Sequence, residues 1–354
     1  MRICLIASSR FPIREPFAGG LEAHTFSLAR ELHRRGHEVA VFAAPGSQLG
    51  IPVIELAIPP YRSSEAARAD VGAPPAVWMQ EHHAYLTLLM SLARHGAEAF
   101  DLVLNNSLHH LPVAMAATLP VPVVTILHTP PVAWLESAIE VAGAAGTFVA
   151  VSAAMSQAWA HAVDTVTIRN GVDPERWTPG PGGDDAVWSG RIAPEKAPHE
   201  AIDASRRSGR AIALAGPVMD QAYFDAEIRP RLTDHTRYVG HLDQEHLCRL
   251  VGSSGVALVT PTWDEPFGLV AAEAMFCGTP VAAYGRGGLV EVVTPQTGRL
   301  ATTHDVDALA RAVDEAAVLD RDAVRRHALD VHGVARMVDE YEAHFAAALT
   351  ARAA

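Results

Sequence analysis

The sequence predicts an α/β protein built of two Rossmann-like domains that face each other across a cleft. Short runs rich in Val, Ile and Ala recur along the chain. They are apolar on both faces, as parallel strands covered by helices must be. Ala-rich segments of helical length separate them, giving the strand-helix alternation of a doubly wound sheet. The alternation breaks once, over residues 169–186, where three Pro and four Gly fall in a short span, and then resumes. With 354 residues there is room for a core on each side of that break.

The first domain is expected over residues 1–168. Residues 2–7 read as a buried strand, followed by a loop through Phe11, Pro12 and Pro16 to Gly19 and Gly20. A helix over 21–35 follows, its Leu21, Phe26, Leu28, Ala29 and Leu32 near helical spacing and Gly36 at its end. Further strands are predicted at 37–44, 101–105, 121–128, 147–151 and 165–168. Pro52, Pro59, Pro60, Pro74 and Pro75 predict loops over 46–80, then a helix through Leu92. Residues 169–186 form the linker. The second domain, 187–334, takes strands at 186–190, 211–216, 236–240, 256–260, 281–284 and 299–301. The last helix, 335–354, is expected to cross back to the first domain.

Lys plus Arg number 28 against 40 Asp plus Glu, a net charge of -12. That balance argues against nucleic acid as a partner and against adsorption to an anionic membrane. The basic stretch 30–35 reads as cations complementing a helix C-terminus. Cys4, Cys248 and Cys277 stand singly with no metal-ligand spacing, so they read as buried thiols in a reducing compartment. The N-terminal apolar run of about six residues is short for a signal-peptide core. The expected location is the cytoplasm.

The chemistry centres on residues 260–291. Glu265 and Glu273 stand eight residues apart around a bend rich in Pro, Phe and Gly. Asp264 as N-cap and Pro266 at the first helical position predict a helix starting just after Glu265. The amides of Phe267, Gly268, Leu269 and Val270 would then point outward at the positive end of the helix dipole, a seat for a phosphate. Glu273 lies among Val270, Ala271, Ala272, Ala274 and Met275, a poor place for an idle charge. A carboxylate before a phosphate-binding helix and another within it suit a nucleotide sugar.

With these pieces in view, the chain resembles the retaining GT-B-fold glycosyltransferases of family four (group 1). The resemblance covers nearly the whole length and rests on AGGLEAH (18–24), HTP (128–130), VSAAMS (151–156), IRNGVDPERWTP (168–179), SGRIAPEK (189–196), LAGP (214–217), RYVGHLD (237–243) and EPFGLVAAE (265–273) in this order. It implies that Arg191 and Lys196 bind the donor diphosphate, a role two cations at a strand end also fit on charge alone. It further implies that Glu265 holds the reacting sugar and Glu273 the ribose hydroxyls. Gly19 and Gly20 match a loop beside the phosphates, where a tight turn would demand glycine equally, and His128 matches a histidine near the transferring sugar. Glu22, His24, His109 and His110 are acceptor-side candidates.

The resemblance also implies transfer of a hexose with retention, through front-face substitution, and no cofactor or catalytic metal. UDP-glucose is the default donor and a small soluble molecule the expected acceptor. His304 with Asp305 and Asp307 reads as a helix cap rather than a metal site. Among rival readings, an NAD oxidoreductase lacks GxGxxG, since AGGLEA does not supply it and GRGG at 285–288 lacks the spacing. A glycosidase needs both carboxyls across one bond. A nucleotide-sugar epimerase, a phosphorylase or a non-catalytic nucleotide-sugar-binding protein of the same fold remain alternatives.

Overall fold

The runs apolar on both faces become two parallel sheets. In the computed structural model, which describes residues 1–51, 54–56, 58–143 and 145–353, Pro52 and Ala354 lie outside the described residues. The first sheet comprises β1 (Arg2–Ile6), β2 (Glu38–Phe42), β3 (Ile54–Leu56), β4 (Leu102–Asn105), β5 (Val123–Leu127), β6 (Thr147–Ala150) and β7 (Val166–Thr167). Its strand order is β3-β2-β1-β4-β5-β6-β7. The second sheet comprises β8 (Ala186–Ser189), β9 (Ile212–Ala215), β10 (Thr236–Tyr238), β11 (Val256–Val259), β12 (Val281–Tyr284) and β13 (Gly298–Ala301), in the order β10-β9-β8-β11-β12-β13.

Alternation along a strand explains the two helical layers. In β1, Ile3 and Leu5 face the layer holding Leu28 and Leu32 of helix Gly20–Arg34. Cys4 and Ile6 face the layer holding Leu89 and Leu92 of helix Ala76–Ala99. Successive side chains of a strand point to opposite faces, so a strand buried on both sides must be apolar throughout. β8 repeats this, with Trp188 in the layer of Ile202 and Val187 in that of Met275.

The order of each sheet reverses beside its first strand, at β1/β4 and at β8/β11. Such switch points open a crevice outside the carboxyl ends of the strands, where ligands bind in doubly wound folds. The chain runs from β7 to β8 through residues 168–185, and Val172 there pairs with Gly333. Helix Val334–Ala353 then lies against helix Gly20–Arg34 and β5. Arg35 clamps it, bonding Asp339 at 2.5 Å and Glu342 at 2.7 Å. The basic stretch 30–35 therefore docks the last helix as well as capping its own.

Four local expectations change. β3 forms where only loop was expected, as an edge strand paired with β2, because a three-residue strand among prolines leaves no periodicity to read. A short helix, Glu65–Ala69, interrupts the same region, and the following helix runs on past Leu92 to Ala99. Helix Leu269–Phe276 starts three residues later than Pro266 would place it, with Gly268 rather than Asp264 as N-cap. Asp264 instead bonds Arg286 at 2.9 Å, and Gly288 N–H donates to Glu265 O at 2.7 Å, which ties 264–266 down as loop. Finally, Cys248 and Cys277, remote in sequence, bring their sulfurs to 3.8 Å. Asp305 does cap a helix, accepting from Ala308 N–H at 2.8 Å. Among the described residues no helix is long and apolar enough to cross a membrane.

Candidate active site

Loops at the carboxyl ends of β1, β4 and β5 meet loops from β8, β9 and β11 around one cavity of about 500 Å³. Gly19, Gly20, His128, Arg191, Lys196, Glu265, Phe267, Gly268, Leu269, Val270 and Glu273 all line it. Of the acceptor-side candidates, Glu22 and His109 line it too, whereas His24 is buried behind the wall and His110 lies just beyond the lining, stacked on His109.

The two loops at the second switch point are sewn together. Thr260, just past β11, donates its hydroxyl to Lys196 O at 2.8 Å and Ala197 O at 3.0 Å. Thr262 N–H donates to Glu195 O at 2.9 Å. This stitching sets Lys196 Nζ 2.5 Å from Glu265 Oε2. Trp263 completes the group: its Nε1–H donates to the same Oε2 at 3.2 Å, and its ring centroid lies 4.9 Å from the ammonium. Arg191 is looser, 3.8 Å from Glu195 and more than a third exposed. Such a cation is available to a ligand, because an exposed ion pair at that distance is weak.

Gly268 has φ +95, and a Cβ there would come within 2.4 Å of Leu289 Cδ2. Backbone conformation and packing therefore both require glycine. Gly287 explains the GRGG run: a Cβ would meet Glu265 O at 2.3 Å, so 285–288 is the cradle of the Glu265 loop. Gly19 differs, with φ −173, extended backbone open to any residue. A Cβ at Gly19 would lie 3.4 Å from Glu22 Oε2 and 3.7 Å from Arg191 Cδ. Neither turn conformation nor crowding demands glycine at Gly19, since both of those contacts are ordinary ones.

Glu273 sits at the floor, buried, and among the described residues its carboxyl has no hydrogen-bond partner. Burial pushes its pKa up to about 8, with Cys248 adding to the rise. At neutral pH it holds a proton, and hydroxyl donors brought by a ligand would favour the carboxylate. Glu22 is also buried and raised by burial, against which its own backbone N–H and Arg191 pull it down.

His128 directly follows β5, with Nε2 2.5 Å from Asn106 Oδ1. Asn106 donates in turn to Thr25 Oγ1 at 2.7 Å, and Thr25 to Leu21 O at 2.6 Å. Desolvation, then neighbouring His24, holds the His128 pKa well below the ordinary value, so the ring is neutral. With the proton on Nε2, Nδ1 is left as an acceptor. His24, its ring centroid 5.0 Å from that of His128, has both nitrogens buried and unpaired.

Both rims of the cleft are latched. Ser152 donates to Pro266 O at 2.6 Å, and Glu291 accepts from Ala153 N–H at 3.1 Å and Ala154 N–H at 3.0 Å, pairing also with Arg169. On the other rim His241 meets Phe17 O at 2.9 Å, while Glu15 accepts from Gln244 N–H at 3.1 Å and pairs with Arg176. Sequence reading passed over Trp263, Asn106 and Tyr85. An aromatic two residues before Glu265 was a usable signal; Asn106 and Tyr85 reach the site only through tertiary packing.

Two family models match the chain. Residues 18–176 match the family model described as Glycosyltransferase Family 4, and residues 175–327 that described as Glycosyl transferases group 1. A glycogen synthase of Mycobacterium tuberculosis H37Rv is 29% identical over 362 residues, covering 88% of this chain and 85% of that protein. A D-inositol 3-phosphate glycosyltransferase of Mycolicibacterium smegmatis is 27% identical over 369 residues, covering 91% and 84%. Among solved structures, AviGT4, a glycosyltransferase involved in avilamycin A biosynthesis, superposes with a TM-score of 0.73 at 24% identity over 98% of each chain. Anabaena HepE, in complex with UDP and glucose, does so with a TM-score of 0.75 at 21% identity, over 98% of this chain and 99% of that one.

Proposed function

Because the chain belongs to the family 4, group 1 glycosyltransferases of the GT-B fold, enzymes that draw on nucleotide-sugar donors, we propose that it moves a glucosyl unit from UDP-glucose, with retention of configuration, to a hydroxyl of a small soluble acceptor. The observation that carries this reading is the convergence of Arg191, Lys196 and the start of helix Leu269–Phe276 on a cavity that Glu265 and Glu273 also line. The choice of donor draws support from HepE, whose structures hold UDP, glucose and UDP-glucose.

Glu273 accepts the ribose hydroxyls, losing its proton as two donors reach it. The free amides of the helix start, with Arg191 and Lys196, take the diphosphate, and Lys196 leaves Glu265 to do so. Glu265 is then free to accept hydroxyls of the glucosyl ring, held in place by Trp263, while His128 Nδ1 accepts another. The bond from the anomeric carbon to the diphosphate oxygen breaks on the face where the acceptor oxygen bonds. The acceptor's proton passes to the departing phosphate. Fixed cations and dipoles stabilise the charge on that phosphate, and in many enzymes such preorganised stabilisation lowers the barrier more than any other effect. The reaction needs no metal.

The test is a donor screen across UDP-, GDP-, ADP- and TDP-sugars by thermal shift and nucleotide release, with product anomer assigned by NMR. UDP-glucose should give the largest shift, and Glu265→Ala or Lys196→Ala should lower transfer by about 100-fold or more. EDTA should leave the rate unchanged. Unchanged transfer in both variants would sink the assignment.

A further inference from the structure

The donor side of the cleft is cationic, and the acceptor side has the opposite character. Among the described residues lining the cavity from the first half of the chain, the fixed cations are Arg176, which Glu15 already holds, and Arg10. Glu81 already holds Arg10 through two bonds of 2.9 and 3.1 Å. His109, on the same wall, is pushed down to about 3 by desolvation and then by His110 and His82, so it carries no charge at neutral pH. The other charged groups there, Glu22 and Asp173, are acids. A phosphate on the acceptor would enter this wall without a partner.

The wall offers rings instead. Tyr85 stacks on His109 at 4.2 Å and 21°, His109 on His110 at 4.5 Å and 20°, and His110 on Trp134 at 5.1 Å and 25°. The inner end is fixed, since the Tyr85 hydroxyl donates to Ala7 O at 2.9 Å and accepts from Ser9 N–H at 3.1 Å. His109 Nδ1 accepts from Leu111 N–H at 3.2 Å, which puts the ring proton on Nε2 as a donor. At the outer end Trp134 is 65% exposed, with His110 on one face and the other face open. Leu108, on the cavity wall, is 44% exposed. A rigid ladder thus leads from the cleft to a free indole face, and its three ring steps span more than a single sugar.

Resting on the glycosyltransferase reading, we propose that Tyr85, His109, His110 and Trp134 form the acceptor subsite, and that it takes an uncharged acceptor carrying a second ring, a further sugar or an aryl group, that rests on the open face of Trp134. The reacting hydroxyl stays inside, on the wall of His109 and Glu22. Indole faces bind the C–H face of a sugar and the face of an aryl ring alike, because both bury apolar area against the ring.

Binding to the UDP-saturated protein, followed by calorimetry, separates the possibilities. The UDP titration comes first, and failure to bind UDP removes the donor reading and this one with it. With UDP bound, maltose or phenyl glucoside should bind at least about tenfold tighter than glucose, and glucose 6-phosphate no tighter than glucose. Which of the two neutral ligands wins tells a second sugar from an aryl group. Trp134→Ala, a change at an exposed side chain, should erase the advantage. The inference is overturned, with the donor reading left standing, if glucose 6-phosphate binds best, if neither two-ring ligand gains over glucose, or if the gain survives in Trp134→Ala.

Discussion

Glu273 makes the stability of the fold depend on pH. Its carboxyl is raised from 4.5 to about 8 by burial. Between those values the folded chain holds a proton that the unfolded chain has released, so stability falls as pH rises through that window, and the whole penalty is present above pH 8. Glu273→Gln keeps the shape and removes the titration. Its melting temperature without ligand should match the parent near pH 4.5 and exceed it increasingly up to pH 8. Its affinity for UDP should fall about tenfold, the scale of a lost charged hydrogen bond. Differential scanning calorimetry across pH with UDP titration reads both. That Glu265 and Glu273 line one cavity was legible because their spacing around a single turn is local. The Lys196–Glu265 contact was not, because it joins loops from two strands that neighbour each other only in the folded sheet.

At the level of the element, helix Leu269–Phe276 is the part whose ends matter. Its apolar run and the stop at Gly278, φ +73, are sequence features. Its start is a tertiary decision, since Gly287 and Gly288 pin residues 264–266 and force the turn at Gly268. Gly268→Ala should lower unfolding free energy by about 1–3 kcal/mol from left-handed strain, measured by urea denaturation, and should weaken UDP binding as the amides shift. Adding Leu289→Ala relieves the 2.4 Å clash and leaves the strain, so recovery in the double variant should be partial. Full recovery would show that packing alone demands the glycine.

The whole molecule carries an unusual set of neutral buried histidines. His24 and His332 are lowered to about 4 and His109 to about 3, desolvation leading in each case, and His128 is held well below the ordinary 6.5. Below pH 6.5 the unfolded chain gains protons that the folded chain refuses, so stability is lost as pH falls from 6.5 towards 4. Up to about four protons can contribute, a steep acid limb. His332 packs edge-on against Phe267 with both nitrogens unpaired. His332→Phe should flatten the limb by about one proton, roughly 1.4 kcal/mol per pH unit. Urea midpoints measured between pH 4.5 and 7 check this, and an unchanged slope would show that His332 protonates equally in both states.

The sequence by itself determined the architecture: strand after strand was legible because a strand buried on both sides must be apolar throughout, and the break near residue 180 because Pro and Gly interrupt both periods. Residues that line the cavity from the second sheet were legible too, since they stand in continuous stretches at strand ends. β3 escaped because three residues carry no period. Of the stacked rings, His109 and His110 were legible as candidates, whereas Tyr85 and Trp134 escaped for a different reason. Tyr85, His109 and Trp134 come from three separate segments, and only the packing of helix Ala76–Ala99 and the loop after β4 against the sheet stacks them into one ladder. Local pattern specifies elements, whereas the desolvation that makes a histidine neutral or a carboxyl hold its proton exists only once distant segments have closed over it.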